Sequence, residues 1–177
     1  MKRIGLLSDT HGYWDDRYLR FFADCDEIWH AGDIGGNRVY ERLCAAKPVR
    51  AVFGNADGNP LRQQLQSALL FDLEGVRVYM THIGGYPGRY ASAAIRQLLR
   101  QQHVKLFISG HSHILKVGMD PELNLLHINP GAAGRQGFHL VRTLTRFTLD
   151  QGEIKDFELM EIPLQEDHTG ASVNGSD

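Results

Sequence analysis

Five short apolar runs in this chain each end on a polar motif, and that pattern narrows the choice of fold. Asp9-Thr10-His11-Gly12 follows the run 4–8, Gly32-Asp33 follows 28–31, and Gly54-Asn55 follows 49–53. His82 follows 76–81, and Gly110-His111-Ser112-His113 follows 106–109. Apolar runs this short, separated by helix-like stretches, read as buried parallel strands. Ligands bind beyond the carboxyl ends of such strands. The carboxylates, the amide and the imidazoles are therefore expected to converge on one edge of one sheet. A donor set of this kind, without cysteine, suits hard or borderline divalent metals.

The chain has 177 residues, enough for one domain with a real core. No linker divides it. A single domain is expected over 1–164. Residues 165–177, with Gln165-Glu166-Asp167 and then Gly, Ser and Asn, read as a disordered tail. The net charge of −2 gives no bulk attraction to nucleic acid or to anionic membranes. A nucleic-acid or nucleotide substrate stays open, because a metal pair supplies local positive charge. No apolar run reaches the ~18 residues of a membrane span. Met1-Lys2-Arg3 leads straight into a strand and not into a signal peptide, so a cytoplasmic location is expected. Cys25 and Cys44 read as reduced packing residues.

Strands are expected at 3–8, 27–31, 49–53, 76–81, 105–109, 114–119, 124–128, 138–149 and 153–161. Helices are expected from Asp15 or Asp16 to about residue 24, over 37–46 with Asn37 as cap, over 60–66 and over 90–102. After residue 105 the strands crowd together. They are divided by turn signals at Asp120-Pro121-Glu122, Asn129-Pro130-Gly131 and Asp150-Gln151-Gly152. The first half is thus βα-like and the second mostly β.

In an extended segment, residues i and i+2 point the same way, so Asp9 and His11 can share a cation. Gly12 lets the chain turn away at once. Asp33 has two oxygens and can bridge two metals. Asn55 offers a neutral amide oxygen. His111 and His113 repeat the i, i+2 spacing, and His82 adds an imidazole. Two metals ~3.5–4 Å apart share a bridging water, lower its pKa and clamp a phosphoryl group. Each motif alone is weak, since Gly-Asp and Gly-Asn are usually turns. The ordered series is specific.

That series, D-x-H, G-D, G-N, an isolated H and G-H-x-H, resembles the calcineurin-like metallophosphoesterase superfamily. His30-Ala31-Gly32-Asp33 and Asn129-Pro130-Gly131 are similar to its small bacterial and archaeal phosphodiesterase branch. The resemblance implies an α/β fold of two β-sheets packed face to face and flanked by helices, extending to about residue 161. It also implies two divalent metals, Mn²⁺ above Fe, Zn, Co or Ni. Asp9, His11, Asp33 and His113 match the ligands of the first metal. Asp33 bridges to the second, which Asn55, His82 and His111 complete. The implied reaction is hydrolysis of a phosphate diester by a metal-bridging hydroxide, with Asn55 and His111 helping to stabilise phosphoryl charge. A phosphomonoesterase or nucleotide pyrophosphatase with the same metals is the first alternative. A non-catalytic scaffold on the same fold is the second, since one eukaryotic relative is a protein-sorting scaffold. The intact ligand set favours catalysis.

One departure is informative. Many relatives carry G-N-H-E or G-N-H-D, whose histidine can act as general acid, whereas this chain has Gly54-Asn55-Ala56-Asp57. Ala56 has no proton to give, so esters of good leaving groups are the expected substrates. Asp57 reads equally as a partner that orients Asn55 or a ligand histidine and as an Asx-turn residue. His30 is expected to form a hydrogen bond at the strand end or behind the metal ligands, and His127 to pack or bond locally. Arg135 can reach a phosphate, although a solvated side chain is the simpler reading. Trp14 is expected to pack on its helix, and His103, His139 and His168 to be structural or solvated. The loops near 13–16, 34–37, 56–60, 84–89 and 131–137 would set specificity. Oligomeric state stays open, with C-terminal edge strands available for pairing.

Overall fold

The computed structural model describes residues 1–85 and 88–164; the expected tail at 165–177 lies outside the described residues. Ten strands and four helices form in this span. β1 (Lys2–Leu7), β2 (Glu27–His30) and β3 (Val49–Ala51) alternate with α1 (Arg17–Phe21) and α2 (Asn37–Ala46). α3 (Leu61–Gln64) precedes β4 (Ala68–Leu73) and β5 (Val76–Thr81). α4 (Ala93–Gln101) leads to β6 (Leu106–Ile108), β7 (Leu115–Asp120), β8 (Leu125–Pro130), β9 (Val141–Asp150) and β10 (Glu153–Pro163).

The strands make two five-stranded sheets, ordered β10-β9-β1-β2-β3 and β4-β5-β6-β8-β7. β1, β2 and β3 run parallel, as do β5, β6 and β8. β9, β10, β4 and β7 add antiparallel edges. This corrects the expectation of one sheet edge: three of the runs belong to the first sheet and two to the second. Strand patterning alone carries no information on how a set of strands divides, whereas the family resemblance implied two sheets.

Alternation along β1 shows how the layers form. Ile4 and Leu6 face the second sheet, where they join Trp29, Val78, Met80, Leu106, Ile108, Ile128 and Phe147. Leu7 faces the other way, onto Tyr18, Phe22, Val39 and Leu43 beneath α1 and α2. Gly5 shares that outer face, and a Cβ there would overlap the Phe22 ring. Leu99 of α4 packs on Tyr79 and Phe107, covering the second sheet. The stack is therefore helix, sheet, sheet, helix.

Several expectations shift. β4 was not anticipated. It is an edge strand that pairs with β5 through a turn at Glu74-Gly75, and its residues are at most half-buried. α1 ends at Phe21, and α4 starts at Ala93 behind a true cap, with Ser92 Oγ accepting from the Ile95 amide at 3.2 Å. α2 begins at Asn37 as its first turn, with Gly36 in the cap position. β9 begins at Val141, not at 138, and Phe138 projects fully into solvent. Asn129-Pro130-Gly131 does not close a hairpin, because β8 and β9 lie in different sheets. Cys25 is buried as expected, but Cys44 is exposed, and both are free thiols. Among the described residues, no helix is long and apolar enough to cross a membrane.

Candidate metal centre

The polar motifs meet where the parallel strands of both sheets end. The loops after β1 and β2 run side by side. Asp9 N–H donates to Gly32 O at 3.0 Å, His11 N–H to Asp33 O at 3.0 Å, and Gly12 N–H to Ile34 O at 2.8 Å. Gly35 permits this contact, since a Cβ there would enter the backbone of His11 and Gly12. The second sheet joins through its own loops. Gly110 N–H donates to His82 O at 2.9 Å, and His111 N–H donates to Asp9 Oδ2 at 3.1 Å.

Asp9, His11 and His113 form one cluster; Asp33, His82 and His111 form a second. The G-H-x-H pair is thus divided between them. The extended i, i+2 picture is also corrected. Asp9, His11, Asp33, His111 and His113 all have positive φ, between 44° and 69°. Left-handed backbone, not strand alternation, turns these side chains inward. Each such residue costs of order 1–3 kcal/mol unless its surroundings hold it, and such strain gathers at functional sites. Asp and His tolerate this region better than bulky residues do.

Both aspartates divide their oxygens in the same way. Asp9 Oδ2 accepts from Ser8 Oγ at 2.6 Å and from the His111 amide. Asp9 Oδ1 is buried without a hydrogen-bond partner, and it lies 3.2 Å from His113 Nε2 and 3.8 Å from His11 Nε2 and His82 Nε2. Asp33 Oδ1 accepts from the Ala56 amide at 2.8 Å, leaving Oδ2 3.1 Å from His82 Nε2 and 3.8 Å from His11 Nε2. The His82–Asp33 pair is close but misaligned, so His82 Nε2 is likewise buried without a partner. His82 Nδ1–H donates to Ala31 O at 2.8 Å, so in the neutral ring Nε2 carries the lone pair, the form that binds a metal. Orphaned buried polar atoms are rare and costly. A carboxylate oxygen and an imidazole lone pair aimed at a common space fit divalent cations well.

The electrostatics agree. Burial disfavours charge on Asp9, yet the His113 and His82 imidazoles and the Ser8 hydroxyl outweigh it and hold the carboxyl below its usual range. Burial likewise opposes charge on Asp33, and His82, the Ala56 amide and His11 overcome it. Both groups are anionic at neutral pH, as ligands must be.

Asn55 lies in the exposed loop after β3, one residue before the Ala56 amide that holds Asp33. Because that contact is a backbone one, Ala56 needs no side chain to make it. Asp57 does neither of the two things expected of it. It is buried and accepts three backbone N–H groups: Gly35 on Oδ1 at 2.8 Å, and Ile34 and Gly54 on Oδ2 at 3.1 and 2.8 Å. It clamps the Asp33 loop to the Asn55 loop. His30 stands outside both clusters. Its Nδ1 accepts from the Gly32 amide at 3.2 Å, so Nε2 carries the proton and bonds Thr10 Oγ1 at 2.9 Å. Arg135 stacks over Tyr13, 4.7 Å from the ring centre, and belongs to neither cluster. Trp14 packs edge-on against Tyr18.

Three further residues support the centre: Asn129 from a motif already noted, His139, expected to be structural or solvated, and Arg142, which gave no signal in the sequence. His139 sits edge-on to His113, with ring centres 5.3 Å apart, and bonds Gly134 O at 2.9 Å. Asn129 Nδ2 donates to Gly110 O at 2.8 Å and to Ser112 Oγ at 3.0 Å, bracing the loop that carries both histidines. Arg142 is fully buried; it donates to Ala133 O and to Asp15 Oδ2, each at 2.8 Å, behind a loop whose Gly134 amide reaches Asp9 O. Burial opposes ionisation of Asp15, but Arg17 and Arg142 hold it down to about 2.

Two buried histidines make a pH test. Burial pushes His30 and His127 down to about 4, so both are neutral at pH 7. The unfolded chain titrates near 6.5, so between those values it binds protons that the folded chain refuses. Stability from these groups is present above about pH 6.5 and lost towards pH 4, at up to ~3 kcal/mol each. His82 and His113 are shifted upward, so they act in the opposite sense when no metal is bound. His127→Gln in chelator should therefore flatten the acid decline relative to the native chain. Parallel denaturation curves from pH 7 to 4 would remove this account.

Comparison with known proteins gives the class. Residues 1–152 match the model of the calcineurin-like phosphoesterase superfamily domain, and the chain belongs to that family of metal-dependent phosphoesterases. A protein of Methanothermobacter thermautotrophicus named a probable metallophosphoesterase is 31% identical over 134 residues, 73% of this chain and 76% of that one. Among solved structures, a single mutant of Vps29 from Entamoeba histolytica superposes with a TM-score of 0.69 at 17% identity, covering 92% of this chain and 99% of that one. The phosphoesterase Yfce from E. coli superposes with a TM-score of 0.59 at 23% identity, covering 88% of this chain and 98% of that one.

Proposed function

We propose that this protein is a phosphodiesterase that works with two divalent cations, Mn²⁺ first among them. Asp9, His11 and His113 would hold one cation; Asp33, His82, His111 and the Asn55 amide would hold the other. The observation that carries this reading is the position of Asp33 Oδ2, 3.1 Å from His82 of one cluster and 3.8 Å from His11 of the other. A carboxylate between the clusters is what a bridging ligand requires. When bound, such cations acidify water and neutralise developing charge on a phosphoryl group.

The chain's own groups prepare that space. Ser8, the His111 amide and the Ala56 amide fix the aspartate planes, so no reorganisation is needed when charge develops. Ala31 O fixes the His82 tautomer. Asn55 brings a neutral donor that does not repel an anionic ester, and His111 is exposed enough to meet a phosphoryl oxygen. No linked histidine follows Asn55, so cleavage of aryl esters is favoured over alkyl ones.

The test pairs stability with turnover. Chelator should abolish hydrolysis of an aryl phosphodiester, and Mn²⁺ should restore it, with the diester turned over faster than the matching monoester. Saturating metal at ~100 times Kd should add ~2.7 kcal/mol per site to folding stability. A chain that gains no stability at millimolar metal and hydrolyses neither ester would be a scaffold on this fold. Faster monoester turnover would make it a phosphomonoesterase.

A further inference from the structure

A cavity of about 580 Å³ opens beside the second cluster, sharing Gly110, His111 and Ser112 with the loop that follows β6. We propose that this cavity receives the non-leaving arm of the diester and selects an aryl- to nucleoside-sized group there. The inference rests on the phosphodiesterase reading and names the substrate class of the same site.

Four observations support it. The first is continuity: His111 belongs both to the cluster and to the cavity wall, so a phosphoryl group near His111 has one ester arm at the cavity mouth. The second is size. The volume lies within the ~300–1,000 Å³ typical of pockets that enclose small organic molecules, far beyond the need of a methyl group. The third is the lining. Ile83 and Ile114 are 42% and 67% exposed, so two aliphatic side chains border the cavity with no apolar cover among the described residues. Arg89 and Lys116 add two cations, and none of the described lining residues is acidic. Such a wall suits an apolar ring on an anionic ester, with the cations able to meet the ring face or the phosphate charge. The fourth is His127, a lining residue only 4% exposed. Its Nε2 pairs with Ser109 Oγ at 2.8 Å, while its Nδ1 is buried with no hydrogen-bond partner. Burial keeps the ring neutral, so it adds an uncharged aromatic edge to the cavity wall.

The experiment uses probes that differ only in the arm. In Mg²⁺ solution, diphenyl phosphate should shift the Ile83 and Ile114 methyl NMR signals saturably, with a Kd about tenfold or more below that of dimethyl phosphate, given the extra apolar area buried. Bis(4-nitrophenyl) phosphate and methyl 4-nitrophenyl phosphate share a leaving group, and the first should show a KM lower by a similar factor. Ile114→Glu, at an exposed position, should erase both differences. Equal affinity for the two phosphates, or shifts that bypass both isoleucines, would overturn the proposal. Discrimination in binding with hydrolysis of neither ester would uphold the cavity and sink the phosphodiesterase reading. Hydrolysis of both esters with equal KM would do the reverse.

Discussion

Asp33→Asn is expected to cut diester turnover by about 10²–10³-fold, because a bound metal supplies several kcal/mol of transition-state stabilisation. The reasoning follows the two oxygens. An asparagine keeps its carbonyl where Asp33 Oδ1 accepts the Ala56 amide, so the loop holds its shape. Its NH2 then replaces Oδ2, the atom 3.1 Å from His82 Nε2. A donor meets an imidazole lone pair, and a negative charge disappears from between the clusters. Metal content should fall together with activity, while thermal stability in chelator falls only modestly, since the Ala56 bond is kept and only the attraction to the His82 and His11 rings is lost. Full occupancy of both metals with undiminished hydrolysis would sink the bridging assignment.

Much of this centre could be read before the structure, because strand and motif are adjacent in the chain. Leu6 and Leu7 are apolar because β1 is buried on both faces, and Asp9 follows just past the strand end, where the backbone leaves the sheet. The same logic places Asp33 after β2 and His82 after β5. Other features depend on partners far away in sequence. β4 escaped notice because Leu70 is apolar yet exposed, so the run Ala68-Leu69-Leu70-Phe71 hides the alternation by which Leu69, Phe71 and Leu73 meet the core. The positive φ values of His111 and His113 arise from loops packed across two sheets, and no local residue type demands them. Arg142 sits in a Thr-rich strand that reads as solvent-facing at every second residue, yet Asp15 and the 131–134 loop enclose it fully. His139 looked isolated because its neighbour His113 lies across a turn between sheets.

Asp57→Ala is expected to cost about 3–5 kcal/mol, because it strands three amides at ~1–3 kcal/mol each. The Ile34 and Gly54 amides are buried and the Gly35 amide is partly so. Removing the carboxylate leaves a cavity lined by donors, which is worse than losing the bonds alone. A fall in melting temperature of roughly 8–15 °C follows for a chain of this size. Asp57→Asn separates hydrogen bonding from bulk. Its carbonyl can take the Oδ2 position and keep the Ile34 and Gly54 bonds, while its NH2 faces the Gly35 amide and loses that one. Its melting temperature should therefore fall between native and alanine. Function should follow the same order, since Asp57 fixes the spacing between the Asp33 loop and the Asn55 loop without touching either side chain. An alanine variant that melts with the native chain would show that water satisfies the three amides. The clamp between the loops after β2 and β3 would then lie in the Ala56 N–H, which donates to Asp33 Oδ1 at 2.8 Å.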